Sequence, residues 1–272
     1  MAMIRSARTY GSRAVVTGAG SGIGRAFAEE LARRLGLVVC ADIDLNAAEE
    51  TVELIERWGG KAIAVHCDVT DEASIRALAG AAEAWFGLPN LVINNAGIGG
   101  GGPLVGEGSL DDWERILEVN LWGVILGSHV FVPLLRRAGD AGIINVASAA
   151  GFAAAPGMAA YNVSKAGVMS LTETLAAELV GTNVRVTTLC PTFVPTAIFD
   201  NELIAPASAA AARAQAERNG STARSVALDA LHALDKGKLY ALPQTDAKVV
   251  WRVKRWLPTL YPRLAARVVA RD

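Results

Sequence analysis

The feature that most restricts the fold of this chain is an alternation. Short apolar runs at residues 14–16, 37–40, 62–65, 91–93, 143–146 and 184–187 are separated by longer stretches with helical spacing. Most of the runs are rich in β-branched residues and bounded by Gly, Asp, Asn or Pro. That is how strands buried on both faces read. Helices are expected over 23–35, 46–58, 72–86, 111–137 and 158–180. Strand, helix and strand repeated in this way imply an α/β fold: a doubly wound parallel sheet inside a three-layer α/β/α sandwich. In such sheets ligands bind beyond the carboxyl ends of the strands, where the strand order reverses.

Of the 272 residues, 52% are hydrophobic and 19% charged, which suits one large domain. We expect it to span residues 1–245, with an Ala-rich excursion at 196–224 and a basic, Trp-containing extension at 246–272. A net charge of -1 gives no electrostatic reason to expect nucleic acid as a partner. Cys40, Cys67 and Cys190 are odd in number and widely spaced, so they read as buried free thiols in a reducing compartment. Histidines occur only at His66, His129 and His232, so no Cys/His cluster has metal-ligand spacing. No metal site is expected, and a zinc-type alcohol dehydrogenase is disfavoured. Residues 1–13 lack the apolar core of a signal peptide. No run reaches the roughly 18 uninterrupted apolar residues of a membrane-spanning helix. A cytoplasmic location is the expectation.

A glycine-rich turn, Thr17-Gly18-Ala19-Gly20-Ser21-Gly22-Ile23-Gly24, follows the first strand and opens the first helix. Glycines let backbone N–H groups approach a pyrophosphate, and a helix N-terminus favours negative charge. In this Rossmann-like context Gly18, Ser21, Gly22, Ile23 and Gly24 are the expected contacts. Asp42 closes the second strand, where a carboxylate can accept hydrogen bonds from both adenosine ribose hydroxyls. It would repel a 2′-phosphate, and no Arg or Lys follows closely to offset that, so NAD is favoured over NADP. Asp44 competes for the role, and either residue could instead cap the next helix. Asp68-Val69 and Asn94-Asn95-Ala96-Gly97 end the third and fourth strands. Either group could be turn chemistry alone; in this register they would line the adenine side of the crevice and stabilise the sheet.

At the other end of the crevice, Tyr161 and Lys165 stand four residues apart, on one face of a helix. That pattern alone arises by chance in many helices. Ser148 lies thirteen residues earlier, just past the fifth strand, and Asn120 falls within the preceding long helix. With these motifs in order, the sequence resembles the short-chain dehydrogenase/reductase family over roughly 13–196, and more loosely to about residue 242.

The resemblance implies a hydride-transfer site. Tyr161 would be the acid/base, and because free tyrosine titrates near 10, something must stabilise its phenolate. Lys165 would supply a positive charge one turn away and hold the nicotinamide ribose. Ser148 would hydrogen-bond the substrate oxygen. Asn120 would bend its helix and hold a water that links Lys165 to solvent. In the segment Pro191-Thr192-Phe193-Val194-Pro195-Thr196, Pro191, the Val194 backbone and Thr196 would meet the nicotinamide end. The family has Gly where Thr192 stands, which puts the local turn in question.

Phe193, Ile198, Phe199, Leu203 and Ile204 would face the nicotinamide if residues 196–224 fold over the site. With Ser148 this gives an apolar pocket lacking an Arg or Lys for a substrate carboxylate, favouring a small hydrophobic or bulky secondary alcohol or ketone, hydroxysteroid-like or aryl/alkyl. The tail carries Lys248, Arg252, Lys254, Arg255, Arg263, Arg267 and Arg271 among Trp251, Trp256 and Tyr261. Packing on a neighbouring subunit or on itself is the leading expectation for it, and peripheral membrane contact the alternative. Family relatives are usually homodimers or homotetramers. The leading reading is an NAD-dependent alcohol dehydrogenase or ketone reductase. The alternatives are 3-oxoacyl thioester reduction and a non-catalytic NAD-binding regulator or scaffold.

Overall fold

The computed structural model describes residues 7–269. Residues 1–6, Arg271, Asp272 and the Arg267 side chain, all invoked above, lie outside what is described. Seven strands form one parallel sheet: β1 (Arg13–Thr17), β2 (Leu37–Asp42), β3 (Lys61–His66), β4 (Leu91–Asn94), β5 (Ala141–Val146), β6 (Val184–Leu189) and β7 (Tyr240–Ala241). Their order is β3-β2-β1-β4-β5-β6-β7. The chain therefore winds outward from β1 in one direction and then restarts at β4 in the other, leaving a crevice above the β1/β4 seam.

The helices are α1 (Gly22–Arg33), α2 (Leu45–Glu56), α3 (Glu72–Phe86), α4 (Leu110–Leu117), α5 (Gly123–Ala138), α6 (Ala150–Ala153), α7 (Ala159–Glu178), α8 (Pro206–Asn219), α9 (Ala223–Asp235), α10 (Thr245–Trp256) and α11 (Tyr261–Val269). Side chains alternate across a strand, so each strand feeds two cores. On one face Val16, Val38 and Ile144 pack with Phe27 and Leu31 of α1, Ile55 of α2 and Leu231 of α9. On the other face Val15, Val39 and Ile143 pack with Ile75 of α3, Phe131 of α5 and Leu175 of α7. The three-layer sandwich follows from continuous apolar strands that must be covered twice. Cys40, Cys67 and Cys190 are buried free thiols. Burial pushes Cys40 and Cys190 up to about 12 and Cys67 to about 11, so all three stay protonated.

Three elements differ from the sequence expectation. The single helix expected over 111–137 is two helices, α4 and α5, joined by a π-helical turn at Glu118–Trp122. By length and composition the run Leu110–Ala138 could cross a membrane, but half of its apolar window is buried inside the fold, with Phe131 and Leu135 in the core. The excursion at 196–224 is largely ordered helix. A 3₁₀ turn, Ala197–Asp200, leads into α8, whose Ala-rich sequence favours helix and whose Pro206 sits at its start. The seventh strand, β7, has only two residues and exists through its pairing with Thr188 and Leu189.

Polar groups in the sheet interior are joined to one another. The Asn94 amide donates to Asn145 Oδ1 (2.9 Å), and the Asn145 amide donates to Thr172 Oγ1 on α7 (3.1 Å). All three residues are buried, so each lost partner leaves a desolvated group. Asn145→Ala is therefore expected to destabilise the fold by about 1–3 kcal/mol, measured by urea unfolding. An unchanged midpoint would show that this seam carries no stability.

Candidate active site

At the cofactor end, the turn after β1 closes tightly on α1. Gly18 has φ +64°, and a Cβ on Gly24 would lie 1.9 Å from the Gly18 carbonyl oxygen. The helix opens with no side-chain cap from Ser21 and no acidic residue in its first turn. Its leading N–H groups and positive dipole end are thus left for an anion. Asn95 holds the turn from the β4 side: its amide donates to the Thr17 and Gly18 carbonyls at 2.9 and 3.2 Å. The N–H groups of Asn95 and Ala96 both donate to Thr17 Oγ1. This seam joins β1 to β4 at the point where the sheet reverses.

Asp42 accepts hydrogen bonds from the N–H of Gly20 (2.8 Å) and of Asp44 (3.1 Å), which fix its carboxylate at the mouth of the turn. Asp44 is committed elsewhere: it caps α2 by accepting from Asn46 and Ala47. With Asp44 serving as the helix cap, Asp42 is the candidate for the ribose carboxylate. The cation of the motif, Arg25, is tied to the Gly20 carbonyl, Thr51 and Glu50, so its charge is partnered. Asp68 is partly exposed and accepts from Thr70, and Val69 is buried beneath it. Thr196 lies across the opening of α1, its methyl 3.1 Å from where a Gly22 Cβ would be, while Val194 is core. The residues of this end fit a dinucleotide: bare N–H groups for the phosphates, and a pinned carboxylate for a ribose.

At the reacting end, Ser148 follows β5, accepts from the Ala150 N–H (3.1 Å) and reaches the Pro191 carbonyl (3.3 Å). Its hydroxyl is near enough to the Tyr161 phenol to act on its ionisation. Burial pushes Tyr161 above the ordinary phenol value, and the nearby Ser148 hydroxyl offsets part of that rise. The Lys165 ammonium lies 5.7 Å from the Tyr161 ring centroid and donates to the Val146 carbonyl at 3.1 Å. Burial lowers Lys165 to about 8. An ammonium has three N–H donors, so the single carbonyl leaves donor capacity for a ribose.

Asn120 sits in the π-helical turn and clips the segment that follows β4. Its Oδ1 accepts from the Ile98 N–H (2.8 Å), and its amide donates to the Ile98 carbonyl (2.9 Å) and Ser164 Oγ (3.4 Å). Its side chain is thus spent on backbone positioning. Gly97 passes between the two groups: a Cβ there would come 2.9 Å from Asn120 Oδ1 and 3.3 Å from Lys165 Nζ.

Tyr161 opens into a cleft lined by Trp113, Ile116, Met158 and Leu203 together with Leu104, Ser109 and Asp112; Ser148 is not among its lining residues. Leu203 was expected there; Phe193 and Phe199 do not line this cleft, both being partly buried within their own segments. Trp113, Ile116 and Met158 went unnoticed in the sequence because they come from α4 and from the turn before α7. The glycine-dense segment is stitched to the lid, Gly101 N–H donating to the Leu203 carbonyl (3.0 Å) and Ala205 N–H to the Gly101 carbonyl (2.8 Å).

Thr192, standing where the family has Gly, has a role in this geometry. Its N–H donates to Gln244 Oε1 (3.1 Å) and its hydroxyl meets Asp246 (3.3 Å) and the amide of Asn219 (3.2 Å) at the end of α8. The hydroxyl thus knots the loop after β6 to the lid helix and to the start of α10.

The model of the short chain dehydrogenase family matches residues 12–205. The chain belongs to that family. Among curated relatives, the Mycobacterium tuberculosis protein designated oxidoreductase SadH is 34% identical over 266 residues, 96% of each chain. Glucose 1-dehydrogenase 2 of Bacillus subtilis is 35% identical over 68% of this chain and 73% of its own. Cyclohexanol dehydrogenase of Acinetobacter sp. is 36% identical over 72% of this chain and 78% of its own. The crystal structure of a short chain dehydrogenase/reductase from Burkholderia phymatum in complex with NAD superimposes with a TM-score of 0.83 at 38% identity, over 91% of this chain and 94% of that one.

The knot at Thr192 makes a prediction about the lid. Removing only the hydroxyl, in Thr192→Val, should loosen the end of α8 and speed protease cleavage within residues 197–220 by roughly two- to tenfold, the equivalent of one lost hydrogen bond. Cleavage at the wild-type rate would mean that the knot does not hold the lid.

Proposed function

We propose that the chain is an NAD-dependent dehydrogenase that moves hydride between NAD(H) and a hydrophobic or bulky secondary alcohol or its ketone. The observation that carries this reading is Tyr161, with Lys165 beside its ring, opening into a cleft whose walls include Trp113, Ile116, Met158 and Leu203. NAD, when bound, supplies the hydride-accepting ring. Gly18, Ser21, Gly22, Ile23 and Gly24 would bind its phosphates. Asp42 would hold the adenosine ribose, with Asp68, Val69, Asn95, Ala96 and Gly97 along the adenine side. Lys165 would hold the second ribose, and Pro191, Val194 and Thr196 the carboxamide.

The protein's own contribution is to orient and to move a proton. Ser148 orients the substrate oxygen towards Tyr161. The phenol gives its proton to a ketone oxygen in reduction and is left as the phenolate; in oxidation the phenolate takes the alcohol proton and returns to the phenol. Lys165, charged below about pH 8, steadies the phenolate that reduction forms and oxidation requires. Asn120 holds Ile98, and with it the wall beside Lys165. The side chains of Trp113, Ile116, Met158 and Leu203 favour a ring or alkyl group over a sugar. Reduction of a 3-oxoacyl thioester uses the same four residues; the carboxylate of Asp42, which repels a 2′-phosphate, weighs against it. Family members commonly act as homo-oligomers, and a dimer or tetramer is proposed for this chain.

Following reduced cofactor by absorbance with NAD and a panel of alcohols tests the reading. Cyclic and alkyl secondary alcohols should exceed glucose in kcat/KM by at least about tenfold, in line with what apolar contacts discriminate. If NAD binds and neither an alcohol nor a ketone turns over, the scaffold reading replaces this one. Asp42→Ala should weaken NAD by about 10–100-fold, the loss of charge-assisted hydrogen bonds, and NADP by much less. An equal loss for both would remove the basis for cofactor choice.

A further inference from the structure

Beyond β7 the chain leaves the sheet and runs into α10, one face of which is anchored. Ala247 is fully buried, and the Trp251 ring packs edge-on against Phe152 (5.0 Å between centroids) and tilted against Tyr240 (4.7 Å). The Gln244 and Asp246 contacts with Thr192 hold the start of the helix to the domain. The helix is therefore not a loose end, and its outward side is presented in a fixed orientation.

That outward side is apolar and cationic at once. At 100° per residue Val249 and Trp256 share a strip opposite Ala247, and Leu257 and Leu260 extend it past the end of the helix. They are 52%, 83%, 46% and 47% exposed, and Trp256 is the most exposed large hydrophobic side chain among the described residues. Lys248, Arg252 and Arg255 flank the strip on one side, and Arg263 follows it. Between residues 245 and 263 there are five cations and one carboxylate, Asp246, which is engaged by Thr192 and Asn219. The chain as a whole carries -1, so this charge is a local concentration.

We infer that this face of α10 and the turn after it docks on the surface of an anionic lipid bilayer, with Trp256, Leu257 and Leu260 seated at the headgroup boundary and the flanking Lys and Arg on the lipid phosphates. An indole beside exposed aliphatic side chains and a basic edge is the chemistry of an interfacial helix. A second copy of the chain fits less well. A two-fold contact puts the same patch on both sides, so the Lys248, Arg252 and Arg255 cluster would face itself. An anionic surface supplies the opposite charge along the whole strip.

Co-sedimentation of the full chain with phosphatidylcholine vesicles, with and without about one-third phosphatidylglycerol, tests this. Binding should be at least about tenfold tighter to the anionic vesicles and should weaken as salt is raised. Both Trp256→Ser/Leu260→Ser and Lys248→Glu/Arg252→Glu should lose at least about tenfold in vesicle affinity while keeping the wild-type circular dichroism and thermal midpoint. The inference is overturned by absence of binding to either vesicle, by equal binding to both, or by variants that fold and bind as wild type. A concentration-dependent oligomer that Trp256→Ser dissolves, without vesicle binding, would instead make this face a subunit contact.

Discussion

The architecture depends on amide side chains buried at the carboxyl ends of parallel strands. A sheet covered on both faces has no water to satisfy polar groups, so an asparagine placed there must find partners in the protein. Asn95 finds them on the glycine-rich turn after β1, Asn94 on Asn145 and Asn145 on Thr172 of α7. These bonds cross the β1/β4 reversal and continue to the helix that carries Tyr161 and Lys165. The two ends of the crevice are held in register by one run of buried polar contacts. Asn120 adds the same kind of clip from the π-helical turn to Ile98.

Burial has a second consequence at the reacting end. It raises Tyr161 and lowers Lys165, disfavouring both charged forms. Below about pH 8 Lys165 is charged in the folded protein, at a cost in stability relative to the unfolded chain, where it would titrate near 10.5. That cost is present in full below the folded value and is relieved as pH rises from about 8 towards 10.5. A fold that keeps a desolvated ammonium beside a desolvated phenol gives up stability for a proton-transfer site.

The sheet was legible in the sequence because its strands are buried on both faces and read as continuous apolar runs. β7 was not, since two residues carry no periodicity and become a strand only through β6. The break in 111–137 was hidden because its apolar spacing continues through a turn that differs by one residue in its hydrogen bonding. Of the two candidate carboxylates, local sequence could not say which was the helix cap; the hydrogen bonds of Asp44 to Asn46 and Ala47 do. The candidates Ser148 and Tyr161 could be picked out from ordered motifs, but Trp113 could not, because its place in the cleft with Tyr161 depends on how α4 lies against α7. The knot around Thr192 joins residues 192, 219, 244 and 246, a separation that no local pattern encodes.

The central claim is that Tyr161 exchanges the proton while Lys165 and Ser148 tune it. The most direct measurement is the pH dependence of NAD reduction by cyclohexanol for the wild-type protein and for Tyr161→Phe, with NAD affinity measured alongside. The account predicts a wild-type rate that rises with pH through an ionisation. For the variant it predicts a rate lower by about 10²–10⁴-fold at every pH, the usual contribution of a general acid–base group, and nearly unchanged NAD binding. A Tyr161→Phe protein that turns over within a few-fold of wild type would contradict it.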